Sequence, residues 1–467
     1  MKIIVDNTLR IIDGVNNKTI MQYCKDNLII NNPEYSQNER LHFSVYGIPK
    51  TLCWYEKRGN DLILPFGCLK DIYSLYPYRE DYILNYNKPC PLIYKSNIKL
   101  YDYQEKAKKD ALKAKNGVIV MPAGSGKTQT ALQLISELRL KTLWITHTYD
   151  LLNQSYDRAK NNLEEVGLGK IAAGKIDIGT HITFATVQTL SKLDLAQFKN
   201  EWNCIIVDEG HRVCGTPAQL GMFYKVINSL SCRYKYALTA TPFRNIKGTE
   251  KALFSLIGNI ICEVPKEAVE NKTIKAEIQP ILTDFEIQEE CMKWDGTIDY
   301  TNLTTFLCED FKRNENISKL LLTLKDNYTL VLGDRLNQLY ELQDLVHYGV
   351  VIDGKMTSKK AKAQREQYIQ DMRDGKEKLL FATFGLAKEG LDIPRLDRLI
   401  LASPHRDKAT IIQSVGRIER KFETKKDAIV YDLVDNSQFH KNMFKNRKTI
   451  YRKNNNKIRE EIKYGNN

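Results

Sequence analysis

No apolar run in this 467-residue chain approaches the roughly 18 residues that a membrane-spanning helix needs. The opening residues, Met-Lys-Ile-Ile-Val-Asp, are too soon charged to read as a secretory leader, so none is expected. Ten cysteines are scattered along the chain without a single C-x-x-C pair. That spacing argues against a zinc site, an iron–sulfur cluster or a disulfide frame. It leaves free, mostly buried thiols in a reducing compartment. Acidic residues are the minority charge, 57 against 70 basic ones, for a net charge of +13 and a pI near 9.0. Such an excess favours a polyanionic partner, nucleic acid before an acidic membrane surface, with a plain solvated basic surface as the alternative. The hydrophobic fraction, 42%, is ordinary for a globular protein, and the length is too great for one core. Two to three domains are expected.

The stretch Met121-Pro-Ala-Gly-Ser-Gly-Lys-Thr128 organises the rest. An apolar run, Gly117 to Val120, feeds into it, and a helix-like segment, Gln129 to Leu140, follows. Strand, glycine loop and helix in that order make a phosphate-binding P-loop. Gly124, Ser125 and Gly126 would let backbone N–H groups close on phosphate oxygens at a positively polarised helix N-terminus. Lys127 would reach the β- and γ-phosphates of ATP, and the Thr128 hydroxyl would hold Mg²⁺. One departure stands out: the general pattern starts with Gly, and Met121 occupies that position.

Residues 1–95 have a different texture, rich in Tyr, Phe and Trp. An alternating strand over Thr51–Lys57, a turn at Arg58-Gly-Asn-Asp61 and a second strand over Leu62–Pro65 suggest a small α+β domain. Its aromatics read as core. The alternative is a nucleic-acid gripper in which the hairpin presents Trp54 or Tyr55 beside Lys57 and Arg58. Next comes Lys99-Leu-Tyr-Asp-Tyr-Gln104, where Gln104 could hydrogen-bond an adenine edge with Tyr101 or Tyr103 stacking nearby.

Beyond the P-loop, apolar strands are expected over Lys141–His147, His181–Thr186, Cys204–Val207 and Tyr234–Leu238, alternating with helices. This predicts an α/β domain over 96–264 with a parallel sheet covered on both faces. Its polar signatures sit at the carboxyl ends of strands, where open α/β sheets bind ligands. About thirty-five residues from Pro265 read as a connection. A second domain of the same class, without a P-loop, is expected over 265–440. Its strands fall at Thr329–Leu332, Val350–Ile352, Lys378–Ala382, Arg398–Leu401 and Ala428–Leu433, with a charged helix over Ser358–Asp374. From Lys441 to the end runs a basic, Asn-rich tail, either a frayed solvated helix or a phosphate contact.

Asp208, at the end of a buried strand, is the partner a P-loop needs, holding Mg²⁺ through water. Glu209 beside it would orient and deprotonate the attacking water. His211 points toward Thr239 or Thr241 in the scheme that couples phosphate state to the sheet, the alternative being a surface histidine. In Gln413-Ser-Val-Gly-Arg417-Ile-Glu-Arg420, helical spacing puts Gln413, Arg417 and Arg420 near one face. The two arginines are candidate fingers for the charge on a transferred phosphoryl group. Thr383, Gly390 and Asp392 lie in the loop after a strand, placed to bind a phosphate of a polymer and relay to the fingers.

This ordered set resembles the motifs of the superfamily 2 helicases: Tyr-Gln, Ala-Gly-Ser-Gly-Lys-Thr, Thr-Val-Gln-Thr, Asp-Glu-Gly-His, Thr-Ala-Thr-Pro, Glu-Gly-Leu-Asp-Ile-Pro and Gln-x-x-Gly-Arg-x-x-Arg. The likeness covers residues 99 to about 435. Asp-Glu-Gly-His is similar to the box of double-stranded DNA translocases and of phage branch-migration helicases acting on forks and Holliday junctions, not to the Asp-Glu-Ala-Asp of the RNA-remodelling branch. The stretch Leu64-Pro-Phe-Gly-Cys-Leu69 looks like the end of the small domain that precedes the motor in those proteins. The resemblance implies two RecA-like domains in tandem clamping ATP, with nucleic acid running across both. Thr186, Gln188 and Thr383 would touch its backbone. It implies an ATP-dependent DNA helicase or translocase on forked or branched DNA, monomeric and cytoplasmic, in the host bacterium if the source is a phage. An RNA helicase and a nucleotide-dependent clamp are the alternatives.

Overall fold

The computed structural model describes residues 1–40, 43–86, 89–122, 124–214, 217–240, 250–265, 267–270, 274–354, 356, 358–388, 391 and 393–463. The chain divides into two compact units, residues 1–266 and 267–467.

In the first unit, short apolar runs become the strands of a parallel sheet. Their order across it is 175–176, 168–172, 182–186, 142–146, 204–207, 234–239, 116–120 and 260–263. Among the described pairings only 175–176 runs antiparallel to its neighbour. Successive side chains point to opposite faces, and both faces are dry. Val118, Leu143, Ile145, Ile205 and Val207 join one apolar cluster, while Ile119, Trp144, Ile206 and Leu238 are buried on the other side.

Residues 1–95 add a mixed sheet in the order 56–58, 61–65, 8–11, 3–5 and 82–84. Arg58-Gly-Asn-Asp61 is a hairpin turn between Glu56–Arg58 and Asp61–Pro65. The strand expected over Thr51–Lys57 is interrupted: Thr51–Cys53 pairs with Ile29–Asn31 in a separate ribbon. Trp54 is the reason. It is 6% exposed, its ring lies 5.6 Å from that of Tyr224, and its carbonyl accepts the Tyr224 hydroxyl at 3.1 Å. Trp54 is therefore core and not a stacking wedge, and Arg58 on the exposed hairpin is paired with Glu56 at 3.0 Å.

This module has no core of its own. Ile3, Val5, Leu9, Leu62, Leu64 and Phe66 lie in the same apolar cluster as Val118, Leu143 and Leu253. Gly67 explains how closely the two parts approach. A Cβ there would come within 2.3 Å of the Phe254 carbonyl oxygen and 2.5 Å of that of Ser255, so the turn can lie on helix Glu250–Ile257 only without one. Lys235 is wholly buried at the same junction. Its Nζ lies 4.5 Å from the Phe66 ring centroid and donates to the carbonyls of Asn7 and Ile227 at 3.4 and 3.3 Å. Burial pushes its pKa down to about 8.

The second unit is a seven-stranded sheet, parallel in every described pairing, in the order 350–352, 379–383, 329–333, 398–401, 429–434, 277–282 and 462–463. Leu330, Leu332, Leu380 and Leu399 pack on one face, Val331, Leu379, Phe381 and Ile400 on the other. The stretch read from the sequence as a connection after Pro265 thus holds a core strand, Glu277–Leu282, paired along its length with Ile429–Val434. Pro280 disguised it, because a proline within an apolar run argues against a central strand. On its other side the neighbouring segment bridges Ile278 through Ile458 and pairs again only from Ile281, so the missing N–H falls in the gap and is tolerated.

The segment read as a basic tail is also built in. It forms helix Gln438–Lys453, whose Arg447 is 2% exposed and donates to the two Asp432 carboxylate oxygens at 2.9 and 2.8 Å. The Tyr451 hydroxyl donates to the same carboxylate at 2.7 Å. No cysteine among the described residues is in a disulfide; eight are buried, with Cys53 and Cys90 exposed. Among the described residues no helix is long and apolar enough to cross a membrane.

Candidate functional site

The first sheet carries its polar residues along one edge, at the carboxyl ends of its strands. Strand Asn116–Val120 runs into the P-loop, Tyr234–Thr239 lies next to it, and Cys204–Val207 lies beyond. The strand ending in Thr239 therefore separates the loop from Asp208. Met121 continues the strand: it is fully buried and its N–H donates to the Thr239 carbonyl at 2.9 Å. A side chain fits there because the backbone is still extended. The turn itself needs glycine: Gly124 and Gly126 lie at φ +76° and +77°. Helix Lys127–Leu138 then starts, with its first N–H groups unpaired within the helix and available to an anion.

The loop is braced from within. Ser125 Oγ donates to the Pro122 carbonyl at 2.7 Å, and Lys127 Nζ reaches the same oxygen at 3.5 Å. Gln104 braces it from outside. Its Nε2 donates to the Ser125 carbonyl at 2.7 Å, while its Oε1 accepts from the Tyr101 N–H at 2.9 Å, half of a capping box on helix Asp102–Ala114. Gln104 is 2% exposed, and a Cβ on Gly126 would strike its Nε2 at 2.4 Å. The adenine-edge role expected for Gln104 therefore competes with a tether already made. The Tyr101 ring is 49% exposed, stacked on Tyr103 at 5.8 Å, and Tyr103 Oη also donates to the Ser125 carbonyl, at 3.2 Å.

Asp208 is 6% exposed. Its Oδ1 accepts from the Glu209 N–H at 3.0 Å and its Oδ2 from Ser155 Oγ at 3.3 Å. Glu209 has a backbone φ of +51°, a left-handed conformation that costs a non-glycine residue about 1–2 kcal/mol. Gly210 follows because there is no room for more: a Cβ there would meet that of Ala237 at 2.9 Å. His211, 2% exposed, places Nδ1 3.2 Å from Glu209 Oε2 and 3.3 Å from Thr239 Oγ1. Glu209 Oε2 is buried and accepts no hydrogen bond of good geometry. Burial raises the pKa of Asp208, and the neighbouring Glu209 charge adds to the rise. Burial acts the same way on Glu209, but Lys127 and His211 outweigh it and hold that carboxyl low.

A buried aspartate, a helix-start threonine hydroxyl, an under-satisfied glutamate oxygen and one lysine suit a metal–nucleotide pair. Thr128 and Asp208 supply hard oxygen donors for Mg²⁺. Two side chains that sequence reasoning missed also enter here: Ser155, and Arg158, whose Nη1 donates to Thr128 Oγ1 at 3.0 Å. Their signal was present, since Leu152, Ser155 and Ala159 form the buried stripe of helix Tyr149–Asn162 and Arg158 lies on its margin.

Farther along the same edge, Thr186 Oγ1 lies 2.9 Å from Thr189 Oγ1, and Gln188 Nε2 donates to the His147 carbonyl at 2.7 Å. Thr186 ends strand Ile182–Thr186 and Gln188 follows it, one strand removed from that of Asp208, with Thr142–Thr146 between them. Thr241 lies outside the described residues, as do Gly390 and Asp392.

In the second unit, Thr383 ends strand Leu379–Thr383. Gln413 and Arg417 lie on helix Lys408–Ile418, and Arg417 Nη1 donates to the Leu391 carbonyl at 2.8 Å. Arg420 lies past the helix end, not on its face as the spacing suggested. Lys425, another residue the sequence reading missed, ends the helix: its Nζ donates to the carbonyls of Ile418, Arg420 and Leu396, the last at 2.6 Å. Burial pushes its pKa down to about 8.

Residues 97–244 match the family model described as type III restriction enzyme, res subunit, and residues 312–421 match the helicase conserved C-terminal domain. The chain is 28% identical over 385 residues to a DNA 3'-5' translocase, XPB2, of Sulfurisphaera tokodaii, covering 74% of this chain and 83% of the relative. It is 27% identical over 342 residues to a putative ATP-dependent RNA helicase of Acanthamoeba polyphaga mimivirus, covering 72% of this chain and 64% of that one. Among solved structures, the ATP-dependent Type ISP restriction-modification enzyme LlaBIII bound to DNA matches with a TM-score of 0.57 at 18% identity. That match covers 80% of this chain but only 32% of the larger protein, and it speaks for the fold alone.

Proposed function

The chain belongs to the superfamily 2 helicases, ATP-dependent enzymes built on RecA-like domains, and from that premise we propose a DNA helicase or translocase acting on forked and branched DNA. The observation that carries the reading is the edge of the first sheet, where P-loop, Asp208–Glu209 and Thr186–Gln188 follow strands of one sheet.

Bound ATP supplies the phosphoanhydride whose hydrolysis drives the motor. The protein's part is positioning and charge. Backbone N–H groups of Gly124, Ser125 and Gly126 close on phosphate oxygens, and Lys127 places a positive charge at the terminal phosphates. Thr128 and Asp208 would hold Mg²⁺, Asp208 through water. Glu209, kept ionised by Lys127 and His211, accepts the proton of the attacking water. Tyr101 and Gln413 would contact the nucleotide. Arg417 and Arg420 would stabilise charge on the phosphoryl group in flight. His211 and Thr239, with Thr241, would report hydrolysis to the sheet, and Gly390 and Asp392 would do so in the second unit. Thr186, Gln188 and Thr383 would hold the nucleic-acid backbone.

DNA is favoured by the relative described as a DNA translocase, while the net charge of +13 suits either nucleic acid. RNA is the second reading, supported by the relative described as an RNA helicase. ATPase stimulation compared across single-stranded DNA, duplex, fork, four-way junction and RNA tests both. The strongest stimulation is expected from fork and junction. Stimulation by RNA alone would replace DNA as the substrate. Nucleotide binding without turnover on any polymer would reduce the motor to a nucleotide-dependent clamp.

A further inference from the structure

This inference rests on reading the first unit as an ATP site. Helix Tyr149–Asn162 follows strand Thr142–Thr146 and sends two polar side chains, about one turn apart, into the same place. Ser155 Oγ donates to Asp208 Oδ2 at 3.3 Å, and Arg158 Nη1 donates to Thr128 Oγ1 at 3.0 Å. Thr128 and Asp208 are the two groups assigned to the metal. The Arg158 guanidinium is partly withdrawn from water and close enough to Asp208 for their charges to interact.

Charge balance explains the arrangement. Asp208 and Glu209 put two carboxylates side by side: Lys127 acts on both and His211 lies against Glu209, while Arg158 brings charge to the Asp208 side. Uncompensated buried charge is costly, and a cation on that side offsets it. A divalent ion would bring the same sign of charge to the same oxygens. Guanidinium suits a temporary occupant, because it is always charged, more weakly hydrated than an ammonium, and carries several donors in a fixed plane.

We propose that Arg158 is a placeholder cation: it holds the Thr128 hydroxyl before nucleotide arrives, and the divalent metal that accompanies ATP displaces it. Arg158 is then a positioning residue. It keeps the metal-binding hydroxyl in place in the resting site, and it competes with the metal there. The cell's metal and nucleotide together, and not nucleotide alone, would switch the site to its working state.

The test is a Mn²⁺ titration of the full-length protein at a saturating concentration of a non-hydrolysable ATP analogue, with bound Mn²⁺ read by electron paramagnetic resonance. Removing the competitor should tighten metal binding, so Arg158→Met should lower the Mn²⁺ half-saturation point by at least fivefold. Arg158→Lys keeps a charge but loses the planar fork, and should lower it by about twofold. A half-saturation point that is unchanged or higher in Arg158→Met overturns the proposal, since Arg158 would then act beside the metal, on phosphate. Should Arg158→Met not fold, the Arg158→Lys titration decides in the same way. If the wild-type protein binds no analogue at all, the ATP reading fails first and the placeholder falls with it.

Discussion

Replacing Gln104 by Ala separates two roles for this residue: reader of the adenine edge, or tether of the phosphate loop. The substitution removes the donor to the Ser125 carbonyl and the acceptor of the Tyr101 N–H, both within 3 Å in a side chain that is 2% exposed. A buried hydrogen bond lost with its partner left behind costs about 1–3 kcal/mol. The lower half of that range applies to each bond here. Ser125 keeps the Tyr103 hydroxyl at 3.2 Å, and the Tyr101 N–H belongs to a half-exposed residue that water can reach. The expected total is about 2–4 kcal/mol, which in a unit of this size lowers Tm by roughly 4–16 °C. About half of it falls on the loop's order before phosphate arrives, and each 1.4 kcal/mol is about tenfold in affinity. Titrations with fluorescent ATP and GTP analogues should therefore both weaken by about tenfold, with their ratio preserved. Loss of ATP binding alone, with GTP unaffected and Tm unchanged, would refute the tether and restore the adenine contact.

Glu209→Gln should bind ATP with affinity close to wild type yet hydrolyse it roughly 10²–10⁴-fold more slowly in single-turnover assays, because the attacking water loses its base. Arg420→Ala should depress kcat more than nucleotide affinity, since a finger acts on charge that develops in the transition state. Arg417→Ala should additionally lower Tm through the lost tie to the Leu391 carbonyl. Gly67→Ala should destabilise the first unit by about 1–3 kcal/mol in urea unfolding, because its Cβ meets backbone that cannot yield. A neutral Gly67→Ala would mean the turn can lift off the helix. The last concerns pH: the Lys235 ammonium is disfavoured in the fold, with a pKa near 8 against 10.5 ordinarily, so between those values the unfolded chain binds more protons. The wild type should therefore gain stability relative to Lys235→Met as pH rises through that window, read as the difference in urea midpoints, and parallel curves would place the lysine in water.

Some of the protein was legible from spacing alone. Strands Cys204–Val207, Val350–Ile352 and Arg398–Leu401 lie where short apolar runs bounded by polar residues put them. The left-handed Gly124 and Gly126, and the burial of Asp208 at a strand end, follow from chemistry that neighbours in sequence carry together. What packing decided is of another kind. Gln104 meets Ser125 across 21 residues and Arg158 meets Thr128 across 30, contacts that no local period encodes. Strand Glu277–Leu282 exists because Ile429–Val434 pairs with it, overriding Pro280's local bias. Arg447 reads as one more basic residue until Asp432 and Tyr451 close around it. The aromatic N-terminal stretch reads as a separate domain until Phe66 and Gly67 come to rest on Lys235 and Phe254. Sequence carries the chemistry of a motif because its parts are covalent neighbours. The partners of a buried polar or apolar group are chosen only when distant segments compete to cover it, and tertiary packing decides that competition.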